Sequence, residues 1–553
     1  MPHRPLENHP ARVLGPVLLC VLLGGCRSPE EYRAEADEQV YEIIRTRRDQ
    51  LAAGGGFTID PPADSLRTRI LSEEALDETG ALPPLTLLQC LEIAAENSRE
   101  YRSRRENLFL AALDLTLEHW RFSVQETGTV AGSVSGTGRT AEDATVSGNL
   151  GLSKLLGTGA LIVGDIGVDL FRVLSTGDGW DAVSLANITI TQPLLRGFGR
   201  RIVEEPLTQA ERDVLYEVRS YERFRRTFAF DVSERVFRIL QAVDTLGNER
   251  RNEESLAELR ERNQAEAEAG RLSDIEVDQV IQDELRARNR VVIAQRDLEA
   301  QLDAFKLFLG LPVETSLSIV QEDMDQVLAV LELPEVDFDE ALASRVALRE
   351  RLDHQTVMDQ VDDAERRVYV AEDALRMGLD LRVDGSVTSD EGQPLDVSGS
   401  NTPWSGSLSL DLPIDRLPER NAYRAALIRR EAALRAHEQS TDDVIADVRD
   451  ALRRLEAARE TLSIQENTTA LNERRIESAN LNKEAGRADT RDVLEAQEDL
   501  LEAQNNLIQA RIDYTLAGLA LYRDMELLRV DDGGLSVELG PLIEEEIEEE
   551  VEE

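Results

Sequence analysis

Two copies of one pattern lie along the sequence, and this repeat limits the folds that the chain can adopt. Residues 268–277, EAGRLSDIEV, match residues 484–493, EAGRADTRDV, and at the same offset Leu285 matches Leu501. Each copy follows a stretch of alternating residues that stops at a proline. The sequence therefore predicts a helix, strands and a helix pair, twice over, and such a chain returns twice to the same end of the molecule.

Two stretches alternate between apolar and polar residues as β-strands do. Residues 123–195 are rich in Gly, Ser, Thr, Val and Leu, and in them Ile162 and Ile166 lie on the face opposite Asp165. The second stretch covers residues 381–413. One apolar and one polar face suit a transmembrane barrel, with lipid outside and water inside. A soluble sandwich alternates in the same way, so the strands alone leave both architectures open.

Each strand stretch ends at a sharp corner before a long helix. The first corner, ITQPLLRGFGR, contains Gln192, Pro193, Gly197 and Gly199, and Pro413 marks the second. Proline lacks the N–H group that a strand ladder needs, and glycine adopts backbone angles that other residues avoid. We expect these five residues to form the strand-to-helix corners.

The predicted helices are too long for a compact globule. Residues 206–265 read as one helix, which would be about 90 Å long at the usual rise per residue. Turns at Gly270 and Gly486 would end the first helix of each pair. The second helix of each pair has apolar residues at heptad positions, and in the second copy another apolar line, Leu501, Ile508 and Tyr522, runs beside them. Two seams on one helix predict packing on both sides, as in a closed ring of helices.

Charge and motifs exclude several classes of function. The chain has 108 acidic and 62 basic residues and a formal net charge of -46, so we expect no nucleic-acid partner. It contains no Walker loop, HExxH or GxSxG motif and only five histidines, so we expect no enzyme, no cofactor and no metal site. After the N-terminal region, no apolar run is long enough for a transmembrane helix, so any membrane crossing would use β-strands.

The first residues form an export signal. A short apolar stretch, residues 13–23, ends at Leu23, and Gly24 and Gly25 follow before Cys26. This arrangement resembles the lipobox of bacterial lipoproteins, in which the signal is removed and the cysteine carries lipid. An ordinary secretory signal with a chance cysteine is the alternative. We expect lipidation of Cys26, because the cysteine stands where the cleavage site should be.

Three segments are informative about family: LTLLQCLEIAAENSREY, the corner ITQPLLRGFGR, and EAGRADTRDVLEAQEDLLEAQNNLIQARIDY. Through them the chain, from about Leu85 to about Leu528, resembles the TolC family of outer-membrane efflux proteins. Cys90 and Ser98 depart from the family's first motif, which has alanine and proline there. The resemblance implies an α+β membrane protein, with a long α-helical periplasmic barrel and a transmembrane β-barrel completed by trimerisation. The two repeats would supply both parts.

The resemblance also implies a strand count. Family members place four strands per chain in the barrel, so three chains give roughly twelve strands. This sequence has four candidate strands in its first copy, where the family has two. We expect the extra hairpin, about residues 145–172, to extend the extracellular side.

The implied function is passive conduction from periplasm to exterior in a tripartite efflux or type I secretion system. The partners would be a periplasmic adaptor, an inner-membrane transporter and the lipid of the outer membrane of a Gram-negative-type bacterium. Alignment on the turn glycines places the family's acidic periplasmic gate at Asp492 and Glu495, with Glu276 as the first-copy equivalent. The alternative is that these are ordinary acidic residues of an acidic chain.

These observations divide the chain into six regions. They are a lipoprotein signal (1–25), a lipidated arm (26–84), a first repeat (85–312), a linker (313–334), a second repeat (335–530) and an acidic disordered tail (531–553). A different class of function stays open at this stage: a non-conducting periplasmic lipoprotein scaffold built of coiled-coil helices.

Overall fold

The computed structural model describes long helices and one large sheet. The described residues are 27–50, 56–60, 65–72, 74–76, 81–137, 140–173, 180–320, 338–390, 402–531 and 534–538. The helices are α1 (Pro29–Asp49), α2 (Leu66–Leu71), α3 (Leu87–Asn97), α4 (Arg99–Phe122), α5 (Arg200–Val203), α6 (Glu205–Glu268), α7 (Asp274–Leu309), α8 (Glu340–Glu350), α9 (Leu352–Asp373), α10 (Leu417–Glu484) and α11 (Thr490–Asp524). The strands are β1 (Gln125–Thr137), β2 (Thr140–Leu155), β3 (Leu161–Val173), β4 (Asp181–Pro193), β5 (Gly378–Thr388), β6 (Trp404–Asp411), β7 (Leu528–Asp531) and β8 (Gly534–Val537).

The two longest helices, α6 and α10, have the same kind of start and end. α6 has 64 residues and α10 has 68, so each is about 100 Å long. Pro206 and Pro418 stand in the first turn of each helix, where the missing N–H group costs nothing. Gly270 and Gly486, with φ of 71° and 68°, follow their C-terminal ends. The helix predicted over residues 206–265 is therefore confirmed.

Six strands form a single antiparallel sheet in the order β1-β2-β3-β4-β5-β6. The ladder between β4 and β5 joins the two halves of the chain, with Pro193 paired to Asp380. The extra hairpin predicted at about residues 145–172 is β2–β3, and it pairs within the sheet. It lies between β1 and β4 because both of its outer edges pair along their length with those strands.

Four helices connect directly to the strands and form a layer below the sheet. α4 packs against α6, α6 against α9, and α9 against α10. The return helices α7 and α11 pack along α6 and α10, and α11 also contacts α6. The main core lies among α3, α4, α6, α7 and α11 and includes the fully buried Phe237, Phe305 and Leu108. None of the described helices has both the length and the apolar composition needed to cross a membrane.

The predicted arm folds back onto the helical layer. Val40 and Ile44 of α1 are completely buried, and the ring of Tyr41 packs edge-on against Phe109 of α4. Arg48 Nε donates to Glu222 Oε1 of α6 over 2.8 Å, and both side chains are about 5% exposed. The predicted lipid carrier, Cys26, lies outside the described residues.

The C-terminal part contains a hairpin where the sequence predicts the start of an acidic tail. β7 and β8 pair with each other directly after α11. Residues 534–537 are therefore a strand, and the tail boundary predicted at residue 531 falls inside this hairpin. Residues 539–553 lie outside the described part of the chain.

Candidate functional site

The first corner is fastened to the turn between β2 and β3. Gln192 Nε2 donates to the carbonyl oxygen of Thr158 over 3.1 Å, and the amide of Gly199 donates to the same oxygen over 3.2 Å. A Cβ atom at Gly159 would lie 2.7 Å from the carbonyl oxygen of Gly197, which is closer than real contacts allow. The turn and the corner therefore meet through backbone atoms.

The same corner is held from the second half of the chain. Gly197 and Gly199 have φ of 78° and 99°, a region that favours glycine. The amide of Gly197 donates to Asp373 Oδ2 over 2.8 Å, and Asp373, the last residue of α9, is only 4% exposed. Arg196 Nη2 donates to Asp411 Oδ2, at the end of β6, over 3.0 Å.

Asp373 and Thr158 were missed by sequence reasoning. Asp373 stands 176 residues from Gly197, and Thr158 stands 34 residues from Gln192. No local pattern marks an acceptor for an amide that distant, so only the fold identifies these residues.

The second corner has fewer contacts. β6 ends at Asp411, two residues before Pro413, and Arg416 Nε donates to the carbonyl oxygen of Pro413 over 3.4 Å. Ile414 is fully exposed, and Leu412 and Leu417 are also exposed. The apolar side chains of this corner therefore make little contact with the rest of the chain.

The two helix-pair turns have the same construction. The amides of Gly270 and Gly486 donate to carbonyl oxygens three residues earlier, and the next amides donate five residues back, which is the Schellman pattern. Each following helix begins with a capping box, formed by Ser273 with Glu276 and by Asp489 with Asp492. Both turns therefore reverse the chain tightly.

Each predicted gate residue has a partner in its own chain. Glu276 Oε2 accepts from the amide of Ser273 over 3.2 Å, and Asp492 Oδ2 accepts from the amide of Asp489 over 3.0 Å. Glu495 Oε1 lies 3.1 Å from Nη2 of Arg475 on α10. The structure thus places Glu276 at one turn and Asp492 and Glu495 near the other.

A buried polar contact joins the two turns to each other. Asn263 of α6 and Thr490 of α11 are almost fully buried, and Asn263 Nδ2 donates to Thr490 Oγ1 over 3.3 Å. Lys483 Nζ of α10 donates to Asn263 Oδ1 over 3.0 Å. Burial lowers the pKa of the Lys483 ammonium, and the nearby Glu266 opposes that lowering. This end of the molecule therefore contains a half-buried cation between the two helix pairs.

The large sheet has two chemically different faces. Side chains of Leu150, Ile166, Ile188 and Leu408, on four different strands, are 63%, 62%, 51% and 63% exposed. The other face is polar, and its side chains bond across strands. Asn187 Nδ2 donates to Asp165 Oδ2 over 3.1 Å, and Thr189 Oγ1 donates to Asp384 Oδ1 over 2.9 Å.

Two of the long helices also expose apolar side chains. Leu285 and Val292 lie one heptad apart on α7, and Ile464 and Leu471 lie one heptad apart on α10. All four are more than half exposed in the single chain. Among the described residues, no group of three or more His, Cys, Asp or Glu side chains has an arrangement that would hold a metal ion.

Comparison with known families bears on the second half of this architecture. The family model described as outer membrane efflux protein matches residues 342–525, which run from α8 through β5, β6 and α10 to the end of α11. This segment of the chain is similar to outer membrane efflux proteins. The resemblance drawn from the sequence is thereby confirmed. No curated protein sequence matches the chain.

Solved structures extend the likeness beyond the efflux-protein domain. CusC, from a study of its folding and transmembrane channel formation, is 15% identical, with 79% of this chain and 91% of CusC covered and a TM-score of 0.59. The CmeC outer membrane channel of Campylobacter jejuni is 17% identical, with 84% and 89% covered and a TM-score of 0.57. The outer membrane protein VceC of Vibrio cholerae is 13% identical, with 79% and 95% covered and a TM-score of 0.57. At these identities the likeness shows the fold alone.

Proposed function

We propose that three copies of the chain form an outer-membrane channel that passively conducts substrates from the periplasm to the exterior. One observation carries the proposal: a sheet with one apolar and one polar face continues directly into a layer of four long helices. An apolar face that wide has a natural environment in lipid, and the polar face has one in water. A soluble scaffold would rarely leave an apolar sheet face of this size exposed to water.

Strand directions support closure by further copies. β1 starts at the helical end of the sheet and β6 finishes there, so the two edges run in opposite directions. β6 of one copy placed beside β1 of the next therefore continues the antiparallel order. The exposed heptad residues of α7 and α10 supply helix surfaces for the same neighbours.

The family resemblance supports the partners and the gate. In this proposal a periplasmic adaptor docks near the two helix turns, and an inner-membrane transporter supplies the energy. Asp492, Glu495 and Glu276 form the acidic gate, because three copies of each would stand around one axis, where like charges repel or recruit cations.

We also propose that Cys26 carries lipid and that the chain is thereby anchored in the outer membrane. The arm supports this, because α1 begins three residues after Cys26 and is clamped to the helical layer at its other end by the pair Arg48 and Glu222.

The decisive experiment is conductance of the purified, detergent-solubilised protein in a planar bilayer, with the oligomeric mass determined on the same sample. We expect discrete conductance steps from a trimer. A monomer that never conducts would refute the channel and favour the periplasmic scaffold.

The gate has its own test in the double variant Asp492→Asn, Glu495→Gln. Asparagine keeps an acceptor for the amide of Asp489, so the helix cap is retained while the charge is removed. We expect altered single-channel conductance and weaker block by divalent cations. Glu460→Gln, an exposed residue far from the turn on α10, is the matched control. Conductance and block equal to those of the control variant would remove Asp492 and Glu495 from the gate.

A further inference from the structure

We propose that all six strands of each copy enter the membrane, so that three copies close a barrel of eighteen strands. This inference rests on the proposed trimeric channel and specifies its width. It departs from the four strands per chain that the family resemblance implies, and it concerns the hairpin β2–β3.

The first argument is the register of the sheet. β1 pairs with β2 from Gln125↔Ser153 to Thr137↔Thr140, and β3 pairs with β4 from Leu161↔Thr191 onward. The hairpin therefore fills the sheet along its height. Lifting it out of the membrane would break both ladders and leave backbone groups of β1 and β4 unpaired in lipid.

The second argument is the position of the hairpin's turn. The amide of Leu156 donates to the carbonyl oxygen of Ala160 over 2.8 Å, and this closes a tight turn at the helical end of the sheet. Thr158, inside that turn, accepts from Gln192 and Gly199 of the corner. β2 ends and β3 begins at the level where β4 meets its helix, so the hairpin has the same depth as the outer strands.

The third argument is the continuity of the two faces. Across the sheet, Leu150 of β2 pairs with Ile166 of β3, and both are as exposed as Ile188 of β4. On the polar side, Asn149 of β2 lies next to Leu150, and Asp165 of β3 bonds to Asn187 of β4. The hairpin thus carries the same apolar band and the same polar lining as its neighbours.

The fourth argument is a match of widths. At a strand spacing of about 4.8 Å and a tilt of about 40°, six strands cover about 38 Å of a barrel's circumference. Four helices packed about 9.5 Å apart, as α4, α6, α9 and α10 are ordered, also cover about 38 Å. Four strands would cover only about 25 Å. Six strands therefore meet four helices without a step between the two layers.

A barrel closed from three such sheets is about 36 Å in diameter between backbones, a size at which barrels retain an aqueous channel. The sheet region would then be no narrower than the helical region. Its cargo class would be bulky, hydrated solutes, and selection would occur at the helix-turn end.

The test uses single cysteines in the full-length protein reconstituted in vesicles, with a charged, membrane-impermeant thiol reagent. The native Cys90 is buried, and the protein without an added cysteine measures any background from Cys26. Leu150→Cys and Ile166→Cys report the apolar face of the hairpin, and Asn149→Cys reports its polar face. The matched controls on β4 are Ile188→Cys and Asn187→Cys.

We expect Leu150→Cys and Ile166→Cys to react as slowly as Ile188→Cys, at least about tenfold more slowly than Asn149→Cys, because lipid excludes the charged reagent. Rapid reaction at positions 150 and 166 with a protected position 188 would overturn the eighteen-stranded barrel alone. Rapid reaction at position 188 as well would remove the whole sheet from the membrane and refute the proposed channel.

A deletion variant gives a second measurement. Removal of residues 140–173 joins β1 to β4, which also run antiparallel, and produces the four-stranded form. We expect its barrel to have about two-thirds of the wild-type diameter, since diameter grows linearly with strand number. This difference in diameter can be measured in a conducting bilayer, from the largest polymer added on the outer side that still enters the channel. An unchanged size limit in a variant that assembles would contradict the inference.

Discussion

Glu526 is a buried residue in a backbone conformation that normally requires glycine. It follows the end of α11 with φ of 63°, it is 1% exposed, and the amide of Leu527 donates to the carbonyl oxygen of Tyr522 over 2.9 Å. This is the left-handed position of a Schellman motif. Its carboxylate pairs with Arg223 and, over 2.6 Å, with Arg226, both on α6. The ion pairs therefore hold a strained turn that starts the hairpin β7–β8.

Two substitutions separate the strain from the charge. Loss of one partner from a buried ion pair costs about 3–5 kcal/mol. Arg223 also meets Asp353 over 3.2 Å and is partly exposed, so the lower end of that range applies to it. Burial lowers the pKa of Arg226 and Glu526 opposes this, so an unpaired Arg226 would carry much of the cost. Glu526→Gly relieves about 1 kcal/mol of backbone strain, whereas Glu526→Ala retains it.

We expect Glu526→Gly to destabilise the hairpin locally by about 2–4 kcal/mol and Glu526→Ala by about 1 kcal/mol more. The assay is amide hydrogen exchange of the segment 527–538 in the assembled protein. The glycine variant should exchange roughly 30- to 700-fold faster than the wild type, because 1.4 kcal/mol corresponds to a factor of ten. Equal exchange in the alanine and glycine variants would refute the strain. Wild-type exchange in both variants would refute the ion-pair clamp.

Three further predictions follow from buried contacts. Arg48→Ala should release α1 and accelerate tryptic cleavage of the arm. The packing of the arm should be weakened by about 1–3 kcal/mol, because Glu222 keeps its second partner, Arg225. An unchanged cleavage rate would mean that the pair Arg48–Glu222 does not hold the arm. At the corner, Gly159→Ala should lower the heat stability of the assembled protein more than Gly197→Ala. A Cβ at position 159 clashes with the backbone of Gly197, whereas a Cβ at position 197 meets nothing within 4 Å. The reverse order of stabilities would contradict the close approach of the turn to the corner. Burial lowers the pKa of His354, which stacks on His437 at 5.3 Å between ring centroids, and Asp353 partly opposes this shift. Because the folded pKa lies below the unfolded value of about 6.5, the stabilisation from neutral His354 should be fully present above about pH 6.5 and be lost as the pH falls from there through the folded pKa. His354→Asn should flatten this dependence in thermal unfolding scans between pH 8 and pH 5.

Local rules account for part of this architecture. Pro193 ends β4, and Gly197, Gly199, Gly270 and Gly486 have positive φ, all of which follow from what proline and glycine allow. Helix length also follows locally, because α6 and α10 have no proline beyond their first turn.

The remainder depends on residues that are distant in the sequence. Asp373 accepts from Gly197 and Arg48 bonds to Glu222 across 176 and 174 residues, and no local pattern indicates either contact. The position of β2–β3 inside the sheet depends on pairing with β1 and β4, which alternation within a strand does not specify. The left-handed turn at Glu526 could not be predicted from the sequence for the same reason. Only the ion pairs with the arginines of α6 stabilise a glutamate in that conformation.

The ladder between β4 and β5 has a consequence for how the protein is made. Its two strands are separated in the chain by α5 to α9, so the first four strands exist long before their neighbour has been synthesised. The hydrogen bond at the Gly197 corner also forms late, because its acceptor Asp373 belongs to the later segment. Pairing between such distant segments is slow and exposes strand edges to aggregation in the meantime. The first half of the chain must therefore be kept apart from other copies, in the unpaired state, until the second half has been synthesised.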